Sequence, residues 1–114
     1  LSLSNLPISD ISTLGQLEAL RELNLSGTLV SDISPLKPLR MVESLDLSGT
    51  KVTDLSTLTN LLRLRSLWIA FTDVSSLAFT DKLWKLEYLD CSETNVEEKE
   101  VNQFKKAKPK CMVN

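Results

Sequence analysis

The chain has 114 residues, 15 acidic and 13 basic, and a net charge of −2. That length supports one domain with a core that needs neither disulfides nor a structural metal. The balanced charge excludes a general nucleic-acid surface, which requires a basic stripe to displace counterions. No apolar run approaches the roughly 20 residues that span a bilayer. The chain holds no His, which removes Ser-His, Cys-His and His-metal chemistry. Neither Cys has a CxxC partner, and Gly15, Gly27 and Gly49 form no phosphate loop. The expectation is a protein that is not an enzyme and carries no metal or cofactor.

In chain order, Leu1, Leu23, Leu45, Leu67 and Leu89 open five units spaced 22 residues apart. The units beginning at Leu23 and Leu45 agree at 11 of 22 positions, which is the self-similarity of a solenoid. In such a fold each unit buries its apolar face against its neighbours. Counted from the opening Leu, positions 1, 3, 8, 11, 14, 17 and 20 are apolar in 27 of 28 cases over four units. These positions are the candidate core. Thr80 breaks the ladder, and Phe79 beside it is placed to fill the gap.

Each unit opens with a spacing of two, as in Leu23-Asn24-Leu25, which predicts a short strand. A spacing of three follows through Val30, Ile33, Leu36, Leu39 and Val42 and predicts 3₁₀ or irregular turns. Asp10, Asp32 and Asp54 precede those turns, where a carboxylate accepts free N–H groups. Thr28, Thr50, Thr72 and Thr94 recur where each strand turns away. Their hydroxyls are expected to bond the backbone of the next coil. Parallel strands would stack about 4.8 Å apart, whereas helices prefer roughly 8–10 Å. Thin turns opposite the strands therefore predict a shallow arc.

Regular spacing stops after Val96. Glu97 to Lys108 runs from acidic to basic and stops before Pro109, the polarity of a helix. Val101, Phe104 and Ala107 give it one apolar stripe, so it reads as a C-terminal cap over the last coil. The predicted division is repeats over 1–96 and a cap over 97–114. At the other end Leu1, Leu3 and Leu6 lack a neighbour. More repeats or a capping domain are expected before residue 1, and the bare first coil is a candidate for self-association. Cys91 takes an inward strand position and Cys111 follows the helix. Two readings stay open: buried free thiols, or a Cys91–Cys111 disulfide worth about 3 kcal/mol.

The pattern Leu23-x-Leu25-x-x-Thr28-x-Val30-x-Asp32-Ile33-x-x-Leu36-x-x-Leu39, repeated from Leu45, resembles the leucine-rich repeat family and its 22-residue internalin-like class. Leu6 departs from it in place of Thr, and Thr stands where the family often has Asn. The resemblance implies a right-handed α/β solenoid with parallel strands on a concave face and 3₁₀ turns on the convex face. It further implies a protein-recognition module within a receptor, adhesin or scaffold, with a cell-surface or secreted setting favoured and a cytoplasmic one left open. An intracellular scaffold holding an enzyme such as a phosphatase is the second reading. A substrate-choosing region of a larger enzyme is the third.

Outward strand positions of the second and third units are small or polar: Asn24, Ser26, Ser44, Asp46, Ser48 and Ser66. The fourth and fifth units then place Trp68, Phe71 and Tyr88 nearby, with Asp46 and Asp90 on the strands flanking Trp68. Aromatics amid carboxylates are the candidate site for a protein partner. The competing reading is that Trp68 and Tyr88 merely pack on each other. Leu62, Trp84 and Met41 form a second exposed apolar group on the opposite side and rank below the first.

Overall fold

A computed structural model describes residues 1–114. Its strands are β1 (Glu22–Asn24), β2 (Ser44–Asp46), β3 (Ser66–Trp68), β4 (Tyr88–Asp90) and β5 (Met112–Val113), and its one α-helix is α1 (Glu98–Ala107). The strands form one parallel sheet in sequence order. From β1 to β4 each residue pairs with the one 22 positions later, as in Leu23↔Leu45 and Leu45↔Leu67. The first coil joins through the single bridge Ser2↔Asn24. The 22-residue period is therefore the register of the sheet itself.

A 3₁₀ turn at Ser12–Gln16 precedes β1, and others follow β1, β2 and β3 at Ser34–Leu36, Ser56–Asn60 and Ala78–Thr80. This is the conformation that three-residue spacing favours, since apolar side chains three apart eclipse in a 3₁₀ coil. The inward leucines of strands and turns meet in one column of 26 buried residues. Leu25, Leu45, Leu47, Leu58, Leu64 and Leu67 are entirely buried, and burial contributes about 1.5–3 kcal/mol for each. Thr80 and Phe79 are both buried, and Thr80 Oγ1 donates to Leu77 O at 2.6 Å. The phenyl ring thus supplies the apolar volume at the break in the ladder.

Polar groups hold the junctions. Ser12, Ser34 and Ser56 N–H donate to Oδ1 of Asp10, Asp32 and Asp54, each at 2.9 Å. In the fourth coil Ser76 Oγ takes that place and accepts from Ala78 N–H at 3.1 Å. The threonines act differently from expectation. Thr28, Thr50 and Thr72 Oγ1 donate at 2.7 Å to Leu25 O, Leu47 O and Ile69 O, within their own coil. The neighbouring coil is already occupied by the ladder, for example Leu25 N–H to Asp46 O and Gly27 N–H to Ser48 O. What remains is the carbonyl just past the strand, which the ladder does not use and which, in the second and third coils, otherwise accepts only the long 3.3 Å bond from the Thr28 or Thr50 N–H. Thr94 bonds Cys91 O in the same way but is only partly buried.

The end of the chain forms one more coil. Tyr88↔Met112 and Leu89↔Val113 are 24 apart, and α1 stands where the earlier coils have a 3₁₀ turn. Phe104 is buried, Val101 half-buried and Ala107 exposed, so the apolar stripe is shorter than the spacing predicts. Glu100 Oε2 accepts Leu77 N–H, and Lys108 Nζ donates to Leu83 O at 3.4 Å, which ties α1 to the fourth coil. No helix is long and apolar enough to cross a membrane.

Both cysteines are free thiols. With Leu89 opposite Val113, Cys111 and Cys91 lie four residues apart along adjacent strands, about 13 Å at the rise of a strand. A disulfide needs Cα atoms within about 7 Å, so the open pairing resolves to unbonded thiols. Cys91 is buried, whereas Cys111 is half-buried.

Candidate recognition surface

Side chains at alternate strand positions leave the core and line the outer face of the sheet. The register puts Asp46 beside Trp68 and Trp68 beside Asp90, so the indole stands between two carboxylates on neighbouring strands. Trp68 and Tyr88 pack with ring centroids 5.4 Å apart and planes tilted by 45°. Both remain half-exposed. The packing reading and the recognition reading are thus compatible, since the rings support each other and still meet solvent.

The carboxylates are held in place. Asp46 Oδ1 accepts Ser48 N–H at 2.9 Å. Asp90 Oδ1 accepts Ser92 N–H at 3.1 Å and Ser92 Oγ–H at 2.6 Å. Asn24 does the same for Ser26 in the second coil, at 2.9 and 2.7 Å. Each is an Asx turn that fixes the side chain from one oxygen. In the fourth coil Trp68 occupies this position, and the Ala70 N–H has no acceptor. That coil gives up a hydrogen bond its neighbours make.

Phe71 is a second departure in the same coil. The backbone passes through positive φ at one position per coil: Asn5 (62°), Gly27 (69°), Gly49 (67°), Phe71 (56°) and Glu93 (53°). Gly adopts this region without steric cost, whereas a bulky side chain is strained there. Phe71 is 67% exposed, so burial does not offset the strain. Its ring is not packed on Trp68 or Tyr88, and it stands apart from the pair that the sequence grouped with it. The fourth coil thus departs from Asx at one position and from Gly at another, each time with an aromatic side chain that meets solvent, and Glu93 shares the second departure in the next coil.

Two features were missed from sequence. Asn114 Nδ2 donates to the Tyr88 hydroxyl at 2.7 Å, placing the C-terminal residue in the site. Its signal was Met112-Val113-Asn114 echoing Tyr88-Leu89-Asp90, visible only if the last coil is allowed two extra residues. The second is a groove of about 360 Å³ over β1 and β2, walled by Trp68 and lined by Glu22, Asn24, Ser44 and Asp46. Beside it runs the column Arg21, Glu43, Arg65, Glu87, in which Glu43 meets Arg21 at 3.7 Å and Arg65 at 3.9 Å. Such exposed pairs are worth at most about 1 kcal/mol. The second apolar group keeps Trp84 and Leu62 exposed and Met41 half-buried, with Lys85 Nζ 5.1 Å from the Trp84 ring centroid.

A family model for leucine-rich repeats in two copies matches residues 1–38. Among solved structures, a leucine-rich repeat protein of Leptospira interrogans is similar at a TM-score of 0.90 and 27% identity, covering 100% of this chain and 30% of its own. Internalin C2 of Listeria monocytogenes gives 0.79 at 26% identity over 85% of this chain and 43% of its own. An internalin F of the same organism gives 0.71 at 26% identity over 85% of this chain and 35% of its own. The chain therefore spans less than half the length of each of these proteins. No curated protein sequence matches it. Leucine-rich repeat domains are in general non-enzymatic modules for binding proteins. In its register, its turns and these likenesses, the chain has the fold of leucine-rich repeat proteins and is similar to the internalins among them.

Proposed function

We propose that the outer face of the sheet docks a protein partner, with Trp68 and Tyr88 at the centre and Asp46, Asp90 and Phe71 around them. The carrying observation is the fourth coil, where an indole replaces the turn-forming Asx and a phenyl ring replaces Gly, both at a cost to folding. Half-exposed aromatics braced by a neighbour supply large contact area with little ordering entropy, the character of an interface anchor. In this reading the solenoid winds right-handed, as parallel crossovers do, and the sheet side is concave. Residues 1–96 are repeats, while 97–114 close the stack. The module would serve as the recognition part of a receptor, adhesin or scaffold.

The test is partner selection from a displayed protein library, followed by affinity measurement. Trp68→Ala and Tyr88→Ala should each weaken selected partners at least tenfold, with the unfolding midpoint nearly unchanged. Partners that bind both variants as tightly as the parent protein would remove the sheet face as the docking surface.

A further inference from the structure

We propose that this face selects an arginine side chain of its protein partner, with the guanidinium laid on Trp68 between the carboxylates of Asp46 and Asp90. The proposal rests on the docking reading above and names the chemistry it would recognise. Charge complementarity carries it. The outward strand positions hold Glu22, Asp46 and Asp90, and none of the chain's 13 basic residues stands among them. Neither Asp46 nor Asp90 meets a cation of the chain, since the only ion pairs are those of Glu43.

Geometry adds to charge. Asp46 and Asp90 flank Trp68 in register, each about one strand spacing, 4.8 Å, to either side. A cation within about 6 Å of an indole centroid is attracted by the ring's negative face. A planar guanidinium stacks on that face and still directs its N–H fork sideways to carboxylate oxygens, which a compact ammonium does less well. The Asx turns use Oδ1 of both aspartates, so the other oxygen of each is the acceptor offered. Tyr88 packs against the indole, and Asn114 steadies Tyr88 through its hydroxyl. The receptor groups are therefore fixed before the ligand arrives, which reduces the ordering cost of binding.

The experiment uses the whole chain carrying Trp84→Phe, so that fluorescence reports Trp68 alone. Hexa-arginine, hexalysine and hexacitrulline peptides are the probes. Hexa-arginine should change Trp68 emission saturably, hexalysine should bind more weakly, and hexacitrulline, isosteric and uncharged, should not bind. Asp46→Asn with Asp90→Asn should weaken hexa-arginine at least tenfold. Those substitutions keep the turns, because Asn24 already makes the same turn in the second coil. Glu97→Gln with Glu98→Gln removes equal charge beside α1 and should change affinity less than twofold. Equal weakening by the two pairs, or hexacitrulline binding as well as hexa-arginine, overturns the proposal. Hexalysine binding as tightly overturns the choice of arginine. Should selected partners need Trp68 but ignore Asp46→Asn/Asp90→Asn, the docking surface stands and the arginine reading falls.

Discussion

Asn114 donates its side-chain amide to the Tyr88 hydroxyl across 2.7 Å, so the last residue of the chain braces the aromatic pair on the sheet. The same residue closes the ladder: Asn114 N–H donates to Leu89 O, and Asn114 O accepts from Cys91 N–H. The side-chain bond is exposed, where a hydrogen bond nets about 1 kcal/mol or less. Asn114→Ala should therefore lower stability only slightly, by about 0.5–1 kcal/mol in urea unfolding, while freeing the Tyr88 ring. If Tyr88 is an anchor, the same variant weakens a selected partner severalfold, mainly through faster dissociation.

Burial predicts a gradient of stability along the stack. Leu47 is fully buried between two coils, and its truncation should cost about 2–5 kcal/mol. Leu3 occupies the same place in the first coil but is half-buried, and Leu1 and Leu6 beside it are exposed. Leu3→Ala should cost well under half as much. Paired urea titrations with unchanged slopes measure the difference.

What the sequence disclosed follows from what repeats. The core, the strands and the 3₁₀ turns were legible because inward positions recur every 22 residues, and that spacing became the sheet register. The flanking of Trp68 by Asp46 and Asp90 was legible for the same reason. Features peculiar to one coil were harder. β5 hides behind the 24-residue step from Tyr88 to Met112, and with it Asn114. The hydroxyl partner of Thr28 depended on which carbonyl the ladder leaves free, which a pattern of side chains does not encode. The strain at Phe71 shows only when it is aligned with Gly27 and Gly49, whose positive φ it shares.

That alignment yields a sharp prediction for Phe71. Glycine takes the left-handed backbone freely, whereas another residue there costs roughly 1–2 kcal/mol. Because the ring is mostly exposed, Phe71→Gly loses little burial. The variant should be as stable as the parent or up to about 1 kcal/mol more stable, as read by its thermal or urea midpoint. A marked destabilisation would mean that the ring supports the fold.

Acid should loosen the turns in a defined direction. Ser12, Ser34 and Ser56 backbone N–H groups, and then their hydroxyls, hold the carboxyls of Asp10, Asp32 and Asp54 below the ordinary range. A carboxyl with a depressed folded value contributes stability that is present above its unfolded value, about 4. The contribution is lost as pH falls through the lower folded value. All three groups are fully exposed, so the effect is modest and weakened by salt. Urea midpoints between neutral pH and about pH 3 should fall less in the Asp10→Asn/Asp32→Asn/Asp54→Asn variant than in the parent. The neutral amide keeps the acceptor and does not titrate.

The cysteines predict their own chemistry. Burial, followed by the nearby Asp90 charge, raises the Cys91 thiol above its usual range, and burial raises Cys111, partly opposed by Lys108. A raised value means little thiolate at neutral pH, so both thiols should be slow nucleophiles. Cys91 also donates through Sγ to Asn114 O at 3.4 Å, inside the last coil. Under native conditions an alkylating reagent should modify Cys111 first, with Cys91 following only as that coil opens. The intact mass should be the same with and without reductant. A loss of two mass units in the oxidised monomer would require the strands to move by several ångströms and would contradict the register of β4 and β5.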